Sequence, residues 1–213
     1  MPDTKNVLYL VVDPMAGLVT TLPRIEAALD GGVDVIQLWN NWNPNESHEK
    51  FIIAICDRAR QYQVPVLINE QWEWLQELPL DGIHFDAIPE NFQRIKEMIK
   101  RPVLAGITCG NDSERVHWAI KNRLDYISFC AVFASSTANS CEIVRPDIIR
   151  QIRALTDMPI FVSGGITCDN VSTLLPLGID GIAVISGVMN AEDPKASARK
   201  FRDCLTGKSP FKI

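Results

Sequence analysis

The feature that most restricts the fold is a rhythm: eight short runs rich in Val, Ile and Leu recur along the 213 residues, each followed by a longer segment of helical period. The runs are Val7 to Val12, Val33 to Leu38, Val66 to Ile68, Gly82 to Phe85, Val103 to Ile107, Tyr126 to Phe133, Ile160 to Ser163 and Gly181 to Ile185. Between and after them lie amphipathic segments at Leu22 to Leu29, Glu46 to Gln63, Trp72 to Leu78, Asn91 to Ile99, Asp112 to Asn122, Pro146 to Leu155, Asn170 to Leu177 and Pro194 to Leu205. Near-continuous apolar runs are what strands need when both faces of a parallel sheet are covered, and helical crossovers supply the cover. An open doubly wound sheet usually carries a glycine-rich fingerprint after its first strand, whereas here the chain reads Val12-Asp13-Pro14-Met15. The pattern therefore predicts α/β architecture, a single (β/α)8 TIM barrel over residues 1–213 with 206–213 as a C-terminal tail.

Punctuation supports that division. Gly31-Gly32 and Gly178 follow predicted helices where a left-handed residue closes the last turn, and Pro65, Pro102 and Pro159 stand just ahead of strands. Apolar residues make up 46% and charged ones 22%, ordinary values for a chain that buries one core. The net charge of −5 and the scattered Lys and Arg argue against nucleic acid and against an anionic membrane surface. The apolar stretch from Val7 is too short for a signal or a span, so a cytoplasmic location is expected. Six cysteines without a CxxC pair read as free thiols. The sequence leaves homo-oligomerisation open.

Barrels of this type build their sites at the C-terminal strand ends. Those ends read Asp13; Gln37-Leu38-Trp39-Asn40-Asn41; Asn69-Glu70; His84-Phe85-Asp86; Thr108-Cys109; Ser135-Ser136-Thr137; Ser163-Gly164-Gly165-Ile166-Thr167; and Ile185-Ser186-Gly187. Gly164 and Gly165 let backbone N–H groups approach an anion, and with Ile185 and Ser186 after the eighth run they predict a phosphate site. The hydroxyls of Ser135 and Thr137 add donors, on the long Ala134 to Arg145 segment that reads as a lid. Glu70, His84 and Cys130 are the acid/base candidates. A buried structural role is the alternative for His84 and Cys130. Trp39, Trp42, Trp72 and Trp74 could stack on a flat ring, pack helices onto the barrel or meet a second subunit.

Several of these motifs, in this order, resemble the thiamine phosphate synthase and TenI family: Leu8-Tyr9-Leu10-Val11-Val12-Asp13, Gln37-Leu38, Leu67-Ile68-Asn69-Glu70, Asp81-Gly82-Ile83-His84, Asp125-Tyr126-Ile127, Ser135-Ser136-Thr137, Gly164-Gly165-Ile166-Thr167 and Gly181 to Ser186. The resemblance implies a thiamin-biosynthesis barrel that holds a thiazole phosphate at the ends of strands 7 and 8, its ring met by Gln37, Trp39, Asn41, Asn69 and Thr108. It also implies Mg²⁺ for a synthase that joins an aminopyrimidine diphosphate to the thiazole, with Glu70 and Asp86 as the remaining candidate ligands. Trp39 and Asn41 replace the family's usual Arg and Lys, and Ala138 replaces a further Lys. The phosphate half of the site is kept and the cationic diphosphate half is lost, which favours a TenI-like role. TenI enzymes tautomerise a thiazole carboxylate phosphate, and the His that some of them carry in strand 6 corresponds to Ala131 here. A synthase with a rearranged site, a non-catalytic phosphate-ligand-binding or regulatory barrel and another phosphate-binding barrel remain as alternatives.

Overall fold

The computed structural model describes residues 5–134 and 143–207. Eight parallel strands close into a barrel in sequence order: β1 (Val7–Val12), β2 (Val35–Leu38), β3 (Val66–Asn69), β4 (Gly82–Phe85), β5 (Leu104–Thr108), β6 (Tyr126–Phe129), β7 (Ile160–Ser163) and β8 (Gly181–Val184). Around them lie α1 (Leu18–Asp30), α2 (His48–Arg60), α3 (Phe92–Met98), α4 (Ser113–Asn122), α5 (Pro146–Leu155), a short α6 (Ser186–Met189) and α7 (Pro194–Leu205). This is the (β/α)8 barrel that the rhythm implied.

The period of two along each strand divides the core into two layers. Leu8, Leu10, Ile36, Ile68, Ile127 and Val162 point outward into the apolar layer shared with the helices. Val7, Tyr9, Val35, Leu67, Tyr126 and Phe161 point inward and fill the lumen. The large inner rings need room. Gly106 lies in register with Tyr126, and a Cβ there would sit 2.1 Å from the Tyr126 ring. Glycine at this strand position lets the ring cross the lumen.

The lower rim repeats one device four times. Asp34, Asp81, Asp125 and Asp180 stand immediately before the even strands, and each carboxylate accepts the N–H of Leu8, Val66, Ala105 or Ile160 respectively at 2.8–2.9 Å. Each aspartate's own N–H returns to the carbonyl of that same residue at 2.8–2.9 Å. Every clasp ties an even strand to its odd predecessor and satisfies N–H groups at the strand base.

Three departures from the expected elements have local causes. The sixth run was expected to continue to Phe133, but β6 ends at Phe129 because Ala131 adopts φ 63° and turns the chain, after which Val132 N–H donates to Ser163 O at 2.9 Å. The seventh helix is two 3₁₀ turns, Val171–Thr173 and Leu175–Leu177, where Pro176 has no N–H for an α-helical bond. The third is a 3₁₀ turn over Trp72–Gln76. Of the paired glycines, Gly32 takes the left-handed conformation and Gly31 instead lies against α7, where a Cβ would meet Lys195 O at 2.5 Å. No helix among the described residues is long and apolar enough to cross a membrane.

Candidate active site at the barrel mouth

The C-terminal strand ends enclose a cavity of about 740 Å³. Eight of the residues expected at the site line it: Gln37, Trp39, Asn69, His84, Asp86, Thr108, Cys130 and Ile185. Inward parity on β2, β3, β4 and β5 brings Gln37, Asn69, His84 and Thr108 to one level above the aromatic plug of Tyr9, Tyr126 and Phe161. Ser163, read as part of the seventh strand end, also lines the cavity, as do Tyr9, Tyr126, Ser128 and Arg115, which the sequence did not single out as site residues.

The floor is a continuous polar chain. Tyr9 Oη donates to Gln37 Oε1 at 2.8 Å and lies 2.9 Å from Tyr126 Oη. His84 bridges onward, with Nδ1 2.8 Å from Tyr126 Oη and Nε2 2.8 Å from Thr108 Oγ1, and Thr108 Oγ1 is 3.1 Å from Ser128 Oγ. Burial lowers the His84 pKa from 6.5 to about 4, outweighing the opposing influence of Asp86, so the imidazole is neutral at neutral pH. Burial also pushes up both tyrosines and takes Cys109 to about 12. Asn69 is fully buried; its Nδ2 donates to His84 O at 3.2 Å while its Oδ1 has no partner among the described residues. A buried orphan acceptor beside a cavity is the kind of group a ligand would satisfy.

Other expected residues lie apart. Asn41 donates to both carboxylate oxygens of Asp13 at 3.0 Å, which anchors the loop after β2. Glu70 has φ 64° and faces a neighbouring groove with Gln71, Trp72 and Arg94. Its carboxylate accepts the backbone N–H groups of Asp86 and Ala87, and burial is the leading cause of its raised pKa. Glu70 thus turns its carboxylate onto backbone outside the cavity that Asp86 lines, and among the described residues no group of three or more His, Cys, Asp or Glu is placed to hold a metal. Trp42 and Trp74 pack edge to face, with ring centroids 5.1 Å apart, and Trp42 also meets Phe51 of α2. Those two indoles dock helices, and Trp39 alone of the four faces the cavity.

On the β7 and β8 side, Gly164 and Gly165 take φ 93° and 62°. A Cβ on Gly164 would lie 2.5 Å from Ala131 Cα, and one on Gly165 2.5 Å from Ala134 O, so the glycines let the turn after β6 seat against the turn after β7. Their N–H groups and that of Ser186, the first residue of α6, donate to no backbone carbonyl among the described residues. Ile185 serves as the N-cap and Ser186 is exposed beside it. Ser135 and Thr137 lie outside the described residues.

The family model described as Thiamine monophosphate synthase matches residues 8–188. The chain belongs to this family. Among curated relatives, it is 29% identical over 204 residues to the Thiamine biosynthesis bifunctional protein ThiED of Geobacter sulfurreducens, covering 96% of this chain and 41% of that protein. The chain thus spans less than half of that bifunctional relative. It is 28% identical to a Thiamine-phosphate synthase of Methanobrevibacter smithii, covering 91% of this chain and 92% of the relative. The solved thiamine phosphate pyrophosphorylase of Pyrococcus furiosus superposes with a TM-score of 0.81 at 24% identity, over 96% of this chain and 97% of that one, a likeness of fold.

Proposed function

We propose that this family member binds a thiazole phosphate at the barrel mouth in a TenI-like role and does not carry out the diphosphate displacement of a synthase. The phosphate would lie on the N–H groups of Gly164, Gly165 and Ser186, next to Ile185, with Ser135 and Thr137 as further hydroxyl donors expected from the sequence. The ring would enter between Trp39 and the polar floor, where Gln37 and the orphan Asn69 Oδ1 can orient it.

The observation that carries the second half of this reading is the charge of the mouth. Arg115 is the one Lys or Arg lining the cavity among the described residues. Its guanidinium donates to Asp86 O at 2.7 Å and Thr108 O at 3.1 Å and pairs with Asp112 at 3.3 Å. A departing diphosphate needs preorganised positive charge, from cations or a metal, to stabilise the developing anion. Trp39 and Asn41 supply none. Purified protein given hydroxyethylthiazole phosphate, the aminopyrimidine diphosphate and Mg²⁺ should therefore form no thiamine phosphate above background. Turnover of roughly 1 s⁻¹, ordinary for an enzyme, would overturn this and restore the synthase.

A binding role without turnover is a second reading, favoured by the titration of the floor. An efficient acid or base has its pKa near the working pH, whereas burial holds His84 at about 4. Incubation with a thiazole carboxylate phosphate, followed by proton NMR, separates the two: a TenI-like enzyme converts one ring tautomer to the other, and a binding protein returns it unchanged.

A further inference from the structure

Six side chains from five strands make one unbranched chain across the barrel floor: Gln37, Tyr9, Tyr126, His84, Thr108 and Ser128. Of the four interior members, Tyr9, Tyr126 and His84 are at most 5% exposed and Thr108 is half-buried. Gln37 and Ser128, at the two ends, both line the cavity.

A hydroxyl owns one hydrogen, and that fact propagates. With Gln37 Oε1 turned to Tyr9, the Tyr9 hydrogen goes to Gln37, so the 2.9 Å contact between the tyrosines requires Tyr126 to donate to Tyr9. Tyr126 then has only lone pairs for His84, so Nδ1 must carry the imidazole hydrogen and donate to it. A neutral imidazole has no second hydrogen, so Nε2 accepts from Thr108, and Thr108 in turn accepts from Ser128. Half a turn of the Gln37 amide puts Nε2 on Tyr9 and reverses all five bonds, including the tautomer of His84. A mixed arrangement sets hydrogen against hydrogen or lone pair against lone pair, and at the buried contacts among Gln37, Tyr9, Tyr126 and His84 the unmatched groups carry the full desolvation cost.

We infer that the floor is a hydrogen-bond chain of uniform polarity, in which Gln37 fixes the tautomer of His84 through Tyr9 and Tyr126, and in which Gln37 and Ser128 always meet a ligand in opposite senses. When Gln37 presents its NH₂ to the cavity, Ser128 presents a lone pair; when Gln37 presents its carbonyl, Ser128 presents O–H. The floor then offers a ligand a donor at one end and an acceptor at the other, so a thiazole, whose ring nitrogen accepts and which has no ring donor, would engage only the donating end. Tyr9 and Tyr126 act as positioning residues through which the two ends are coupled. This deepens the reading of the mouth as a ring-binding site, and rests on that reading only for its consequence toward a ligand.

The test needs no ligand. Long-range proton–nitrogen NMR at pH 7.5 distinguishes Nδ1–H from Nε2–H imidazole, and the signal of His84 is assigned by its loss in His84→Gln. A carboxylate can only accept, so Gln37→Glu should lock the Nδ1–H form. The same chemical change at the other end, Ser128→Asp, should take the hydrogen of Thr108 and impose the Nε2–H form. Opposite tautomers from a carboxylate at opposite ends are the expected result, and one unchanged tautomer in both variants would overturn the inference. If Ser128→Asp does not fold, Gln37→Lys replaces it: an ammonium donates to Tyr9 and must also give Nε2–H, and Nδ1–H there would overturn the inference equally. Calorimetry with hydroxyethylthiazole phosphate on wild type is read separately. Opposite tautomers together with no binding would keep the chain and remove the thiazole phosphate reading of the site.

Discussion

Acidification should destabilise this protein through His84, by an amount that follows from its burial. In the folded state the imidazole pKa is about 4, against 6.5 for an exposed histidine. Between those two values the unfolded chain binds a proton that the folded chain refuses, so stability falls as pH falls. The contribution is complete above pH 6.5, is lost progressively toward pH 4, and is constant below. Each pH unit is worth about 1.4 kcal/mol, which gives about 2 kcal/mol by pH 5 and about 3 kcal/mol over the full window. Glu70 titrates with the opposite sign: its folded pKa is raised by burial, so it binds protons more readily when folded and adds stability as pH falls. The comparison with His84→Gln removes that term, since Glu70 is present in both proteins. Urea unfolding of wild type and variant at pH 7.5, 6, 5 and 4.5 gives the two stabilities by linear extrapolation. The advantage of wild type over His84→Gln should shrink by about 2 kcal/mol from pH 7.5 to 5. A difference that stays constant over that range would refute the placement of a neutral imidazole in the floor.

Two substitutions check the frame that holds the site. Gly106→Ala forces a Cβ to within 2.1 Å of the Tyr126 ring, so overpacking of about 2 kcal/mol should lower the melting temperature by about 4–8 °C in thermal denaturation. The lower-rim clasps should rank by burial: Asp180 is 3% exposed and pairs with Lys5 and Arg153, so Asp180→Ala should cost about 3–5 kcal/mol, whereas Asp125→Ala at the exposed position should cost about 1–2 kcal/mol. Equal losses in calorimetric scans would mean that the clasps act only through their backbone bonds.

Much of this molecule was readable from residue order because parallel strands announce themselves as apolar runs. β1, β4, β7, α5 and α7 begin and end where the pattern places them. The turn at Ala131 was not readable, since alanine gives no sign of a positive φ; it seats against the end of the neighbouring strand, where Gly164 makes room for it. Pro176 did carry a readable warning against a continuous seventh helix. Tyr126 and Ser128 were legible in principle, because Cys130 at the same strand end fixes their inward parity by steps of two. The burial of Glu70's carboxylate against Asp86 and Ala87 depends on tertiary approach of two loops and leaves no mark in sequence.

Calorimetric titration with hydroxyethylthiazole phosphate, without Mg²⁺ or the pyrimidine, tests the central reading most directly when wild type is compared with Gly165→Asp, which brings negative charge and a Cβ into the turn with φ 62°. Saturable binding to wild type that is lost in the variant is the predicted result. Binding that survives Gly165→Asp, or no binding to wild type, would contradict a thiazole phosphate held at the ends of β7 and β8.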